Sequence, residues 1–285
     1  MTNLRHWPAP AKINLFLHVI GRRDDGYHLL QTAFQFLDFS DYLTFDIRDD
    51  GVIRRIGNTE LPIEDLSVRA ARLLQRRSGV SCGVDIRIDK RIPSGAGLGG
   101  GSSDAATTLL ALNNLWGVGM NLESLAGLAT QLGADVPVFV SGRAAFAEGI
   151  GNLLTPISPP KACYVIIKPP VSVDTGTIFT DQQLTRDTPV IKIRGFLAGE
   201  AHNDLEPVTC RRYPEVGHAL DWLRRHAPAR MTGSGSAVFA EVPDRSRGEA
   251  ILADLPNAFT GFVAHGVNQH PLFLELAVAD QQCGP

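Results

Sequence analysis

The sequence predicts two α+β domains with a working cleft between them. Three observations carry this expectation. Strand-like and helical stretches follow one another without regular βαβ alternation, a proline-dense break divides the chain near its middle, and a glycine-rich loop sits at a strand-to-helix junction. The 285 residues suit two domains of ordinary size, or one large one. Hydrophobic residues at 44% and charged residues at 20% make a globular composition rather than a disordered one. A net charge of −3, from 27 basic and 30 acidic residues, gives no overall attraction to nucleic acid or to an anionic membrane. Cys82, Cys163, Cys210 and Cys283 form no C-x-x-C pair, and the histidines show no H-E-x-x-H spacing. That argues against a disulfide framework and a zinc site. The early apolar stretch Ile13–Ile20 is broken by Asn14 and His18 and is too short to span a membrane. The chain therefore reads as cytoplasmic and reduced, with small molecules as its partners; its oligomeric state is not legible.

The elements follow in order. Ile13, Leu15, Leu17 and Val19 alternate with Asn14, Phe16 and His18, the period of a half-buried strand, and Asp24-Asp25-Gly26 marks the turn after it. Tyr42 to Arg48 alternates again. Leu66, Ala70, Leu73 and Leu74 share one face of a helix. Val84, Ile86 and Ile88 form a strand that ends before Pro93. A helix with Ala105, Ala106, Leu109 and Leu112 follows, capped by Ser102 or Ser103, and a second runs from about Asn121 to Leu132. Thr155 to Pro160 reads as a linker. Beyond it come a strand at Ala162–Lys168, a helix around Pro214–His226, a strand pair flanking Gly233–Gly235, a helix near Arg245–Leu255 and a strand at Gly261–Ala264.

The loop reads Pro93, Ser94, Gly95, Ala96, Gly97, Leu98, Gly99, Gly100, Gly101, Ser102, Ser103. Each ordered glycine costs roughly 0.5–1 kcal/mol relative to alanine. Five glycines in seven residues are therefore expensive unless close backbone approach is needed. Several N–H groups converging at the positive end of the next helix would cradle a phosphate. The dinucleotide fingerprint is present in Gly95, Gly97 and Gly100, but its acidic partner is not: Glu123 has the distance and sits at a helix start. A Walker A loop fails because Gly101 and Ser102, not lysine, follow Gly100.

Two short motifs could supply chemistry. Lys12 and Asn14 lie two apart on one strand face, and Asp135 stands two residues before Pro137 at a helix start. Taken alone, the first is a solvated strand face and the second an N-cap. With the loop they become an ammonium and a carboxylate beside a phosphate site, which suits phosphoryl transfer.

The proline, Gly/Ala-rich run and Ser-Ser before a helix closely resemble the second motif of the GHMP kinases. PAKINLFLHVIGRRDDGYHLLQT, LGADVPVF and MTGSGSAVFA match in order and spacing one subfamily of them. Its acceptor is 4-diphosphocytidyl-2-C-methyl-D-erythritol, in the non-mevalonate isoprenoid pathway. The match is close over most of the first 155 residues and looser after, where Asn203-Asp204 and Met231–Ala240 anchor it. The resemblance implies a two-domain GHMP fold, with an N-terminal ATP-binding domain at 1–157 and a C-terminal substrate-binding domain at 158–285. It implies ATP as phosphoryl donor, Mg2+, and transfer to the 2-hydroxyl of the acceptor. Asp135 would be the catalytic base, Lys12 its charged partner, and Pro93–Ser103 the ATP loop. Asn14, Tyr27, His28 and Phe179 would bind the acceptor, with Tyr27 and Phe179 stacking on cytosine. No acidic Mg2+ ligand is identifiable. A kinase for mevalonate, phosphomevalonate or homoserine, or a non-catalytic nucleotide sensor, are the alternatives.

Overall fold

The structure is a computed structural model that describes residues 5–57, 62–197, 199 and 201–273. It opens with two long antiparallel strands, β1 (Trp7–Arg22) and β2 (His28–Arg48), followed by β3 (Ile53–Arg55), α1 (Leu66–Ser78) and β4 (Gly83–Asp89). The helices α2 (Gly100–Leu115), α3 (Leu122–Ala129) and α4 (Val136–Ser141) come next, then the hairpin β5 (Ala145–Glu148) and β6 (Leu153–Pro156). The second half holds β7 (Cys163–Lys168), α5 (Thr175–Phe179), α6 (Ile193–Leu197), α7 (Glu206–Arg212) and α8 (Pro214–Arg224). The chain continues through β8 (Ala229–Met231), β9 (Val238–Val242), α9 (Arg245–Ala253) and β10 (Thr260–Val267). No helix among the described residues is long and apolar enough to cross a membrane.

The sheet runs β3-β4-β2-β10-β7-β9-β8, with β1 and β5 also on β2 and β6 on β5. Among the described residues β1 pairs with no other strand than β2, so Pro8 and Pro10 remove no ladder donor that a second strand among them would need. β10 bridges the halves: Gly266 and Val267 pair with Leu37 and Phe36, while Thr260 to His265 pair along β7. The sheet is thus continuous, and the halves are distinguished by their cores. One core packs α1, α2, α3 and α4 on β2 and β4 around Phe36, Leu74, Ile86, Leu109 and Phe139. The other packs α7, α8 and α9 around Val165, Leu205, Leu220 and Val238, and takes in Leu17 and Val19 from β1. A third cluster, with Ile13, Leu98, Ile166 and Phe239, lies between them.

Local chemistry explains most boundaries. Asp65 caps α1 by accepting from the N–H groups of Ser67 and Val68, and Gly79 closes it in the left-handed conformation at φ +74°. Asn121 caps α3. Two expectations need correction. Thr155 and Pro156 are not linker but the end of β6, paired with Phe146 and Ala145; the break begins at Ile157. Neither Ser102 nor Ser103 caps α2: the helix starts at Gly100 behind a left-handed Gly99, with no side-chain cap. Ser103 is fully buried in the helix body.

Candidate active site

β1 carries the first component. Its ladder with β2 is irregular between Pro10 and Lys12, and the Lys12 N–H donates to the Leu98 carbonyl of the glycine loop at 2.9 Å. Such a bulge re-aims a side chain. Here it lays the Lys12 stem over the Phe34 ring, with the ammonium 5.3 Å from the ring centre and only 2% of the residue exposed. The ammonium lies 3.1 Å from an Asp135 carboxylate oxygen and donates to the Asn14 side-chain oxygen. Asn14 in turn donates to the Thr32 hydroxyl at 2.9 Å, and its backbone N–H to the Thr232 hydroxyl at 2.9 Å. Both polar ends of Asn14 are engaged, so within the protein it orients Lys12.

Asp135 stands at the N-terminus of α4 but makes no capping hydrogen bond. The helix-cap reading is therefore excluded by its side chain, which turns to Lys12. At 35% exposure it is the open member of the pair. Lys12 and Asp135 line one cavity of about 320 Å³ with Asn14, Ser102, Val173, Thr175, Phe179 and Gly233.

The glycine loop packs against the turn between β8 and β9. The Ser236 and Ala237 N–H groups donate to the Gly95 and Ala96 carbonyls. Gly97 adopts φ +73°, and a Cβ there would fall 2.4 Å from the Thr232 carbonyl oxygen. At Gly99, φ +72°, a Cβ would meet Lys12 and Phe139, both at 3.0 Å. These glycines serve the convergence of two loops and a lysine as well as any phosphate. The uncapped start of α2 leaves its first-turn N–H groups for an anion. A second cavity along Pro93–Ser102 reaches Leu66 and Lys90 and meets the first at Gly95, Gly97 and Ser102. Lys90 pairs with buried Asp41 and, at 2.8 Å, with buried Asp104. Asp41 also accepts from the N–H groups of Arg91 and Ile92. Burial therefore pushes the Asp104 carboxyl well above the usual carboxylate range, against the pull of Lys90.

Tyr27 follows the turn at Gly26, φ +90°, and is 63% exposed; Phe179 lines the cavity, whereas Tyr27 and His28 are not among its lining residues. The ring packed on Phe179 is that of His28, at 5.1 Å between centroids, rather than Tyr27. Burial, then Arg186 and Arg22, hold the His28 pKa below its ordinary value. Asn203 donates to the Met231 and Gly233 carbonyls at 2.9 Å, and Asp204 accepts from the Val19 N–H at 2.7 Å. That pair ties the β8–β9 turn to β1. Sequence reasoning missed Thr32, Phe34, Asp41 and Lys90, which carry no local signal, being ordinary strand or strand-end residues until the fold assembles them.

The pattern matching GHMP kinases N terminal domain spans residues 65–143, and that for GHMP kinases C terminal spans 193–261. A 4-diphosphocytidyl-2-C-methyl-D-erythritol kinase from Aromatoleum aromaticum is 57% identical, covering 95% of this chain and 96% of its own. The chain belongs to the 4-diphosphocytidyl-2-C-methyl-D-erythritol kinase family of GHMP kinases. The family member from Thiobacillus denitrificans is 56% identical over 94% of this chain and 97% of its own. A crystal structure of 4-(cytidine 5'-diphospho)-2C-methyl-D-erythritol kinase superposes with a TM-score of 0.80 at 34% identity, covering 92% of this chain and 99% of that one. Methanococcus jannaschii mevalonate kinase shares the fold, with a TM-score of 0.70 at 15% identity over 94% of this chain and 99% of its own.

Proposed function

We propose that this chain transfers the γ-phosphoryl group of ATP to the 2-hydroxyl of 4-diphosphocytidyl-2-C-methyl-D-erythritol, the step its family serves in non-mevalonate isoprenoid synthesis. The observation that carries the mechanism is the Lys12–Asp135 pair at 3.1 Å, in the cavity that meets the glycine-loop cavity at Gly95, Gly97 and Ser102. A kinase needs its acceptor hydroxyl held in line with a phosphate, a group to take the proton, and positive charge beside the transferring oxygens. Asp135 Oδ accepts the hydroxyl proton as the new O–P bond forms and the bond to the departing ADP oxygen breaks. Lys12 orients the Asp135 carboxylate across 3.1 Å and faces the developing charge. The N–H groups at the start of α2, with Pro93–Ser103, hold the phosphates.

Mg2+ fits as an ion carried in by the nucleotide, since no cluster of three His, Cys, Asp or Glu among the described residues is placed to hold a metal. The Ser102 hydroxyl, at the junction of both cavities, is the residue suited to reach it, and the ion would neutralise phosphate charge. His28 and Phe179 form the base-binding wall and exposed Tyr27 closes over it. The unit boundary is placed at 157/158, in the proline-dense break, although β10 keeps one sheet across it and each core draws residues from both sides, Leu272 in the first and Leu17 and Val19 in the second. ADP release measured over phosphoryl acceptors with and without a cytidine group tests the assignment. Turnover confined to the cytidine-bearing acceptor supports it; equal turnover of mevalonate would overturn it.

A further inference from the structure

Arg186 lies in the coil after α5, outside every motif that marks the site. Its Nε donates to His28 Nε2 at 3.1 Å, and its Nη1 to the Leu184 carbonyl at 3.0 Å. Its Nη2 donates to the carbonyls of Phe179 and Asp181 at 3.0 and 2.7 Å. The guanidinium is a rigid plate with its donors in fixed directions, so these bonds fix its position. One consequence is chemical. An arginine nitrogen can only donate, so His28 Nε2 must accept, and a neutral imidazole accepting at Nε2 carries its proton on Nδ1.

We propose that Arg186 is a positioning residue for acceptor recognition: it clamps His28 to Phe179 and holds the imidazole as the Nδ1–H tautomer, a hydrogen-bond donor for the acceptor edge of a pyrimidine base. This rests on the cytidine-bearing acceptor proposed above. The carbonyl and ring nitrogen on one edge of cytosine accept hydrogen bonds, so an Nδ1–H complements them, whereas the Nε2–H tautomer would offer a lone pair to a lone pair. The same Arg186 nitrogen that holds the Phe179 carbonyl fixes the end of α5, so the aromatic wall and the donor are set by one side chain. The charged groups acting on the ring are Arg186 and Arg22 of β1. The Asp181 carboxylate of the same loop is taken up by Arg211 and Arg212 of α7.

Arg186→Ala frees the ring to adopt the other tautomer. The acceptor KM should rise about 3- to 10-fold at pH 8, the worth of one hydrogen bond. ATP KM and kcat should stay near wild type. In the variant the acceptor KM should recover as pH falls from 8 to 6, because protonation returns a proton to Nδ1 whichever tautomer preceded it. Over the same range the wild type should be flat, since it carries that proton throughout. A loss of packing alone would raise KM equally at both pH values. Imidazole 15N shifts of His28 in the unliganded protein read the tautomer directly, with Arg186→Lys as the variant that retains a cationic donor and should keep the wild-type pattern. A wild-type Nε2–H tautomer overturns the proposal, as does an Arg186→Ala acceptor KM that is unchanged or pH-independent. If the wild type used no cytidine-bearing acceptor, the recognition role would fall with the function. The tautomer shifts would still report the clamp itself.

Discussion

Replacing Asp135 with asparagine separates chemistry from architecture. The substitution keeps shape and leaves an amide oxygen able to accept from Lys12 across the present 3.1 Å, while Asn14 continues to hold the ammonium from the other side. Breaking a fully buried ion pair costs about 3–5 kcal/mol. An exposed pair is worth about 0–1 kcal/mol. Lys12 is 2% exposed and Asp135 35%, and a substitute hydrogen bond remains, so the expected loss of stability is about 1–2 kcal/mol. The amide cannot take a proton. Loss of a general base lowers kcat roughly 10²–10⁴-fold, or about 3–5 kcal/mol of transition-state stabilisation. The two effects differ enough to be read apart. Thermal unfolding gives the first, and steady-state ADP release at saturating ATP and acceptor gives the second. Acceptor KM should change little. Near-wild-type turnover by a folded Asp135→Asn protein would refute the assignment of Asp135 as base.

Gly97→Ala should cost activity and stability together: left-handed backbone costs a non-glycine residue about 1–2 kcal/mol, and the new Cβ would lie 2.4 Å from the Thr232 oxygen. A folded variant with unchanged ATP KM and kcat would show that the two loops need not touch. Gly99→Ala presses on Lys12 instead, so it should lower kcat more than it raises ATP KM, checked by the same assay. Tyr27→Ala should weaken the cytidine-bearing acceptor by at most about 1–3 kcal/mol, the worth of one stacked base, with ATP KM unmoved; an unmoved acceptor KM would remove Tyr27 from the site. Burial holds the His270 pKa down to about 3. The unfolded chain then binds a proton below the ordinary value of 6.5 that the folded one refuses, so this residue's contribution falls as pH drops from 6.5 towards 3. The slope is about 1.4 kcal/mol per pH unit, and His270→Asn should flatten the unfolding free energy from denaturant titrations against pH by that amount.

The local features were legible because neighbouring residues write them. Alternation along Ile13–Val19 and Val84–Ile88 marked β1 and β4, and five glycines in seven residues marked a backbone under close approach. Lys12 and Asp135 were legible as candidates, through the motif resemblance. Several assignments went astray where local signal and tertiary demand conflict. Ser102 and Ser103 look like caps, yet the helix begins earlier because Gly99 can turn left-handed above Lys12. Thr155-Pro156 looks like a linker, yet edge pairing with β5 accommodates a proline. Phe179, expected to stack on cytosine with Tyr27, packs its ring on His28 while Arg186 holds its carbonyl, contacts that no local signal announced.

By itself the sequence determined the periodicities, the glycine loop, the catalytic candidates and the family, since each is a matter of residue identity within a short stretch. Only the tertiary structure decided that Asn14 serves Lys12, that Asp135 is an ion-pair partner rather than a cap, that β10 joins the two halves and that Arg186 holds His28. Those outcomes depend on where buried polar groups from distant segments find their partners. A buried donor or acceptor left unpaired costs about 1–3 kcal/mol, so the packed chain selects its pairings across the whole fold, and no window of neighbouring residues contains both members.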